Sequence, residues 1–126
     1  MAKGDICKII IKDDFNNVLI LQKKTKKDEI SKWVLVSSEL KGRESDEKAA
    51  NRAVKDDLKI IVFDLEKIKE EEINEKLLMV YTGSIRERVI CADSIKKIQW
   101  VNKRELGKYE MEEVDKNILN EFFSSK

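Results

Sequence analysis

The chain has 126 residues, enough for one domain whose core needs neither a disulfide nor a structural metal. Its 26 basic and 25 acidic side chains leave a net charge of +1, which argues against nucleic acid or an anionic membrane as a partner. It contains no histidine, which excludes a histidine general base, a histidine metal ligand and a Ser-His-Asp triad.

The two cysteines, Cys7 and Cys91, lie far apart inside apolar runs. Two cysteines cannot form a four-sulfur zinc site, and we interpret them as buried, reduced thiols of a cytosolic protein. A disulfide or a reactive thiol is the alternative. No segment resembles a signal peptide, and no apolar run approaches the roughly 18 residues of a spanning helix. We therefore expect a cytoplasmic protein that does not engage a membrane.

The first third of the chain is predicted to form strands. An isoleucine-rich run, Ile6–Ile11, predicts a first strand, and residues 18–22 predict a second that returns as a hairpin after a turn at 13–17. The charged loop at 23–29 is either a solvated connection or a basic flap over an anionic ligand. Residues 33–36 predict a short third strand, followed by a polar loop to residue 43.

The next element is predicted to be a helix over Asp46–Leu58. Ser45 is a favourable N-cap residue, and Asp46 and Glu47 in the first turn suit the positive end of the helix dipole. Apolar residues recur along one face and predict a stripe that packs closely on a sheet: Ala49, Ala50, Ala53, Val54 and Leu58.

The second half of the chain is predicted to hold four more strands and a helix. The strands are predicted at residues 60–63, 77–85, 86–92 and 95–101. The acidic segment at 66–75 is either a loop or a weakly anchored helix. After a helical turn at 103–106, an amphipathic helix over 110–123 is indicated by Met111, Val114, Ile118, Leu119 and Phe122. This order predicts one α/β domain over residues 1–126, a mixed sheet with helices on its faces.

Four charged residues carry the candidate chemistry. Arg52 and Asp56 are four apart on the predicted helix and can pair along one face. Asp56 and Asp57 are adjacent carboxylates, which repel unless a cation lies between them, and Mg²⁺ bridges such oxygens to phosphate. Glu44 could reach the same volume from the preceding loop. The alternative is a solvated Arg52–Asp56 pair worth about 0.3–0.5 kcal/mol, with no ligand.

The spacing of these residues resembles the Nudix box, G-x5-E-x7-R-E-U-x-E-E-x-G-U, in which U is aliphatic. Glu44 and Arg52 match the first glutamate and the arginine, and Asp56 and Asp57 match the two metal-binding glutamates. Other positions that agree are Val54, Ile60, Trp33, Leu35, Trp100, Val101, Glu105 and Leu106. The resemblance implies the Nudix α/β/α sandwich, a mixed sheet with a box helix and a C-terminal helix.

The sequence departs from the box in ways that bear on activity. Ser38 and Lys59 stand where the box has glycines, and both metal-site glutamates have become aspartates, which are one methylene shorter. Ala53 stands where the family has a glutamate that ligates metal or activates the attacking water. Because a misplacement of about 1 Å can cost on the order of a hundredfold in rate, weak or no hydrolysis is expected.

The resemblance implies a Mg²⁺- or Mn²⁺-dependent hydrolase of a nucleoside diphosphate derivative. Asp56 and Asp57 would hold the ion, Glu44 would be a further ligand or the base, and Arg52 would orient a carboxylate. The alternative is a catalytically inactive Nudix-fold module that binds a nucleotide or a protein partner. Sheet edges and the last helix also leave room for a homodimer. Acids that could replace the one missing at Ala53 are Glu39, Glu87 and Asp93.

Overall fold

The computed structural model describes residues 5–23, 32–41, 44–93 and 95–124. Seven strands and two helices follow in chain order: β1 (Ile6–Ile11), β2 (Val18–Lys23), β3 (Trp33–Val34), β4 (Val36–Glu39), α1 (Asp46–Leu58), β5 (Phe63–Ile73), β6 (Lys76–Ser84), β7 (Ile95–Val101) and α2 (Glu113–Ser124). A short 3-10 turn, Leu106–Lys108, precedes α2. Most of the charged loop predicted at 23–29, and with it the basic flap, lies outside the described residues.

The strands form two sheets. Four of them make a mixed sheet in the order β4-β1-β6-β5, and three make an antiparallel sheet in the order β3-β2-β7. The predicted hairpin of the first two strands is therefore wrong, because β1 pairs with β4 and β6 while β2 pairs with β3 and β7. A single bridge, Lys12 to Val18, joins them beside a turn that the Asp13 carboxylate closes.

The third predicted strand is divided between the two sheets. Trp33 and Val34 form β3 on β2, whereas β4 begins at Val36 and pairs with β1 across a stretch predicted as loop. Leu35, fully buried between them, marks the crossing point. Its N–H donates to the Asp115 carboxylate of α2 at 2.9 Å, which satisfies a backbone group that neither sheet pairs.

Successive residues of β1 face two different cores. Cys7, Ile9 and Ile11 pack in the cluster that includes the buried face of α1, whereas Ile10 packs in the cluster that includes α2. The strands therefore lie between two helices, which confirms the predicted α/β fold class. Burial of Cys7 is also confirmed and raises the pKa of its thiol to about 12. Cys91 is half-buried, and both thiols are free.

Helix α1 has the predicted bounds. The Ser45 hydroxyl accepts a hydrogen bond from the Lys48 N–H at 3.2 Å, as an N-cap residue does, and the predicted apolar stripe is buried. The helix ends at Lys59, whose backbone is left-handed with φ 58° and whose N–H donates to the Lys55 carbonyl. Lys59 therefore adopts the left-handed conformation for which glycine is usually preferred at the end of a helix.

The acidic segment at 66–75 is neither a loop nor a helix. Residues 66–73 belong to β5, an 11-residue edge strand that pairs with β6 and is largely exposed, and residues 74 and 75 form the turn between the two strands. Because the strand is exposed at the edge of the sheet, the sequence of β5 lacks the apolar runs and alternation by which buried strands are recognised. The strand predicted at 60–63 begins only at Phe63.

The strand predicted at 86–92 is absent, since no residue from 85 to 93 lies in a strand. The N–H groups of Ile90 and Cys91 donate to the Leu58 carbonyl at 3.2 and 3.3 Å, and that of Ala92 donates to the Asp57 carbonyl at 2.8 Å. These contacts satisfy carbonyls that the end of α1 leaves open. The left-handed backbone of Cys91, with φ 66°, is incompatible with a continuous strand there.

The last elements agree with the sequence more closely. The predicted strands at 77–85 and 95–101 correspond to β6 and β7, and the C-terminal helix is present as α2. Met111 is buried just before that helix, but Val114 is exposed, contrary to prediction. No helix in the described ranges is long and apolar enough to cross a membrane.

Candidate active site

The predicted site residues lie along α1 and just before it. Glu44 precedes the N-cap, Arg52 lies at the middle of the helix, and Asp56 and Asp57 lie in its last turn. Because residues one turn apart share a face, Arg52 and Asp56 point the same way, and Ala53 and Asp57 point another. The four charged residues therefore divide into two groups with different surroundings.

Glu44 is held by Arg52 through two parallel hydrogen bonds. Nε of Arg52 donates to Oε2 at 2.9 Å, and Nη2 donates to Oε1 at 2.9 Å. The N–H of Lys41 adds a third hydrogen bond to Oε1 at 3.2 Å, and Arg52 Nη2 also reaches the Glu39 carbonyl. The hydrogen bonds from Arg52 are the main reason that the pKa of Glu44 falls to about 2. A carboxylate with that pKa is a poor proton acceptor at neutral pH.

Asp56 is the most exposed acid of the set. Its side chain is 63% exposed, and Oδ2 lies 3.8 Å from Nη1 of Arg52, which is the predicted helix pair. The contact is long, and Arg52 is already committed to Glu44 by shorter hydrogen bonds. Asp56 is thus weakly held and able to meet a cation from solvent.

Asp57 lies on the opposite side of this arrangement, in the core. The residue is only 9% exposed, and its Oδ2 atom is buried without a hydrogen-bond donor. Nζ of Lys23 lies 3.7 Å from that atom and forms an ion pair with it. Burial raises the pKa of Asp57, and the Lys23 charge opposes that rise.

Lys23 is the site residue that the sequence interpretation missed. It was assigned to a charged loop, but it is the last residue of β2. Leu19 and Leu21 of that strand pack in the α1 core, and alternation places Lys23 on the same face. The two-residue period Leu19, Leu21, Lys23 was the signal that could have found it.

Ala53, at the position of the missing acid, packs in the core. Its side chain is 2% exposed and belongs to the core beneath α1, one turn before Asp57. The structure therefore places a methyl group where the box pattern has a carboxylate, one helical turn from the buried Asp57. Ser38, which stands at the first box glycine, lies in β4 opposite Cys7.

These side chains, as arranged, do not form a cluster of ligands around one divalent-ion position. Within the described ranges, no group of three or more acids or cysteines could hold a metal. Glu39, Glu87 and Asp93 are exposed and enter no such group. Glu44 faces a guanidinium and Asp57 an ammonium, which leaves Asp56 as the accessible acid. The metal-ligand roles of Glu44, Asp56 and Asp57 stay predictions.

Comparison with known proteins rests on structure alone. No protein-family model matches the sequence, and no curated protein matches it. A solved MutT, from work on the Aliivibrio salmonicida and Vibrio cholerae proteins, superposes with a TM-score of 0.79 at 14% identity, covering 98% of each chain. A NUDIX family hydrolase from Clostridium perfringens gives 0.75 at 14% identity, again over 98% of each chain. This chain has the Nudix fold.

A further Nudix-fold neighbour carries a ligand. The NUDIX domain of Shewanella oneidensis NrtR, solved in complex with ADP ribose, superposes with a TM-score of 0.77 at 13% identity. The superposition covers 99% of this chain and 89% of that one. Identities this low establish the Nudix fold and nothing finer.

Proposed function

We propose that this Nudix-fold domain binds a nucleoside diphosphate derivative and hydrolyses it slowly or not at all. The observation that carries the proposal is the Glu44–Arg52 pair, because a carboxylate with a pKa of about 2 and two guanidinium hydrogen bonds is withdrawn from proton transfer and from a metal. The burial of Ala53 supports it, since no acid takes that place.

The choice of ligand class rests on the fold and on charge. ADP ribose, a nucleoside diphosphate derivative, is bound by a Nudix-fold neighbour. In this chain, Lys23 and Arg52 carry positive charge on two sides of the box helix, and both side chains keep some exposure, 42% and 25%. Cationic donors of this kind recognise phosphate oxygens.

The test combines binding and turnover. Calorimetry with ADP ribose should show binding, and a panel of nucleoside diphosphate derivatives should be turned over at least about a hundredfold more slowly than the 1–10³ s⁻¹ of ordinary enzymes. Arg52→Gln should weaken binding, whereas Arg104→Gln, at an exposed arginine outside the site, should not. Turnover at an ordinary rate by the parent protein would refute the proposal.

A second candidate is a divergent Mg²⁺- or Mn²⁺-dependent hydrolase with a reduced set of acids. Two observations favour it. Asp57 Oδ2 is buried without a hydrogen bond, and the preceding residue, Asp56, is exposed. This candidate predicts slow phosphate release that requires the ion and is lost in Asp56→Asn. Release that continues in EDTA, or in Asp56→Asn, would eliminate it.

A further inference from the structure

The end of α1 is a place where positive charge is required. Asp56 and Asp57 lie side by side in the last turn, where the negative end of the helix dipole also acts. Asp57 is almost fully buried, and no hydrogen bond reaches its Oδ2 atom. A buried carboxylate in such surroundings must be neutralised, by a proton or by a cation.

The chain supplies that cation itself. Lys23 ends β2 on the face that Leu19 and Leu21 direct into the α1 core, and the register with β7 shifts by one residue of β7 between Gln22 and Lys23. Its Nζ lies 3.7 Å from Asp57 Oδ2, while the side chain keeps 42% of its exposure. The Lys23 side chain therefore reaches the buried acid while part of it stays exposed to solvent.

We propose that the ammonium of Lys23 occupies the cation position of the box helix, so that a diphosphate is bound there without a divalent ion. The first half of this inference concerns only Lys23 and Asp57. The second half rests on the proposed nucleotide-binding function. An ammonium group has three N–H donors, so it can hold a phosphate oxygen while it neutralises Asp57.

The first experiment needs no nucleotide. Mn²⁺ is titrated into the parent protein and into Lys23→Gln by calorimetry. Removing a positive charge this close to Asp57 should raise Mn²⁺ affinity by about tenfold or more. Lys97→Gln, at an exposed lysine on the neighbouring strand β7, should change it less than about twofold because solvent screens that charge.

A double variant guards against misfolding. Lys23→Gln leaves Asp57 without its cation and can lower stability, whereas Lys23→Gln/Asp57→Asn removes both charges. The double variant should fold and should lose the gain in Mn²⁺ affinity. If the parent binds Mn²⁺ as tightly as Lys23→Gln does, or if the double variant keeps the gain, the inference is overturned.

The second experiment measures ADP ribose binding in EDTA and in excess Mg²⁺. The parent should bind equally in both, to within about twofold. Lys23→Gln should bind about tenfold more weakly in EDTA and recover part of that loss in Mg²⁺. Binding by the parent only in Mg²⁺ would overturn the inference and leave the proposed function standing. Absence of binding in both buffers, with the Mn²⁺ results as expected, would refute the proposed function alone.

Discussion

Two lysine–aspartate pairs lie on opposite sides of the strands and behave as opposites. The closed pair, Lys8 and Asp115, has a separation of 2.6 Å, with side chains 14% and 1% exposed. The open pair, Lys23 and Asp57, has a separation of 3.7 Å, with side chains 42% and 13% exposed. The same two residue types thus give one contact sealed in the protein and one that faces solvent.

The two pairs have different surroundings. Asp115 also accepts the N–H of Leu35, so the closed pair ties β1 and α2 to the point where the chain crosses between sheets. Each aspartate has one buried oxygen without a hydrogen bond, but the lysine of the open pair is 42% exposed and that of the closed pair 14%, so the open pair places a partly exposed cation beside a buried acceptor. The closed pair joins elements of the fold, and we propose that the open pair belongs to the site.

The largest effect should come from breaking the closed pair. Lys8→Met leaves the Asp115 carboxylate buried and uncompensated, which should cost about 3–5 kcal/mol in the free energy of unfolding. Lys23→Gln, whose lysine is partly exposed and screened, should cost about 1 kcal/mol or less. Urea unfolding of both variants measures the contrast. Equal losses would show that the two pairs do not differ in kind.

A second change adds an acid to the open pair. Ala53→Glu places a carboxylate one turn from Asp57 in a packed core and should lower stability by about 1–3 kcal/mol. Ala53→Gln has nearly the same volume and no charge. Mn²⁺ should raise the melting temperature of the glutamate variant more than that of the glutamine variant. Equal responses to Mn²⁺ would mean that the added carboxylate does not reach the cation position.

The Glu44–Arg52 pair offers a comparison by titration. Arg52→Lys removes the parallel hydrogen bonds and should raise the pKa of Glu44 from about 2 toward its ordinary value of 4.5, as carboxyl NMR would show. Because the folded-state pKa is lowered, the stability that this pair contributes is present above about pH 4.5 and is lost as pH falls toward 2. Acid unfolding of Arg52→Lys should depend less steeply on pH in that window. An unchanged Glu44 pKa would contradict the arrangement.

The smallest effect is expected at the end of α1, next to the open pair. Lys59 adopts a left-handed backbone, so Lys59→Gly should stabilise the protein by about 0.5–1 kcal/mol, while Lys59→Ala should not. Urea unfolding distinguishes the two substitutions. A gain with alanine would point to the lysine charge, and not to the backbone, as the source of strain.

What the sequence predicted well depends on neighbours along the chain. Helix α1 was predicted to its ends, because an N-cap residue, first-turn acids and a stripe at helical spacing all act within one segment. The Glu44–Arg52 pair could also have been predicted from the sequence, because the two residues are only eight apart across the start of the helix. The Nudix fold could be inferred because the box spacing survives although its glycines and one acid do not.

What it predicted poorly depends on distant partners. Nothing in Ile6–Ile11 indicates that its neighbours are β4 and β6 and not the strand that follows it. The 86–92 segment has a strand-like composition, but the carbonyls of α1 bind its N–H groups. Lys23 was misread because its role depends on Asp57, which lies on another element.

The pairing of β1 has a consequence for how the chain folds. This apolar strand is the parallel neighbour of β6, and the Asp5 carboxylate just before it accepts the Leu77 N–H from 72 positions away. Closing so long a loop is entropically slow, and parallel pairing of this kind delays folding. On the ribosome, β1 can pair early with β4, but its other edge must wait for β6 until most of the chain has been made. During that interval the edge of β1 that will face β6 is unpaired and its row of isoleucines is open to aggregation.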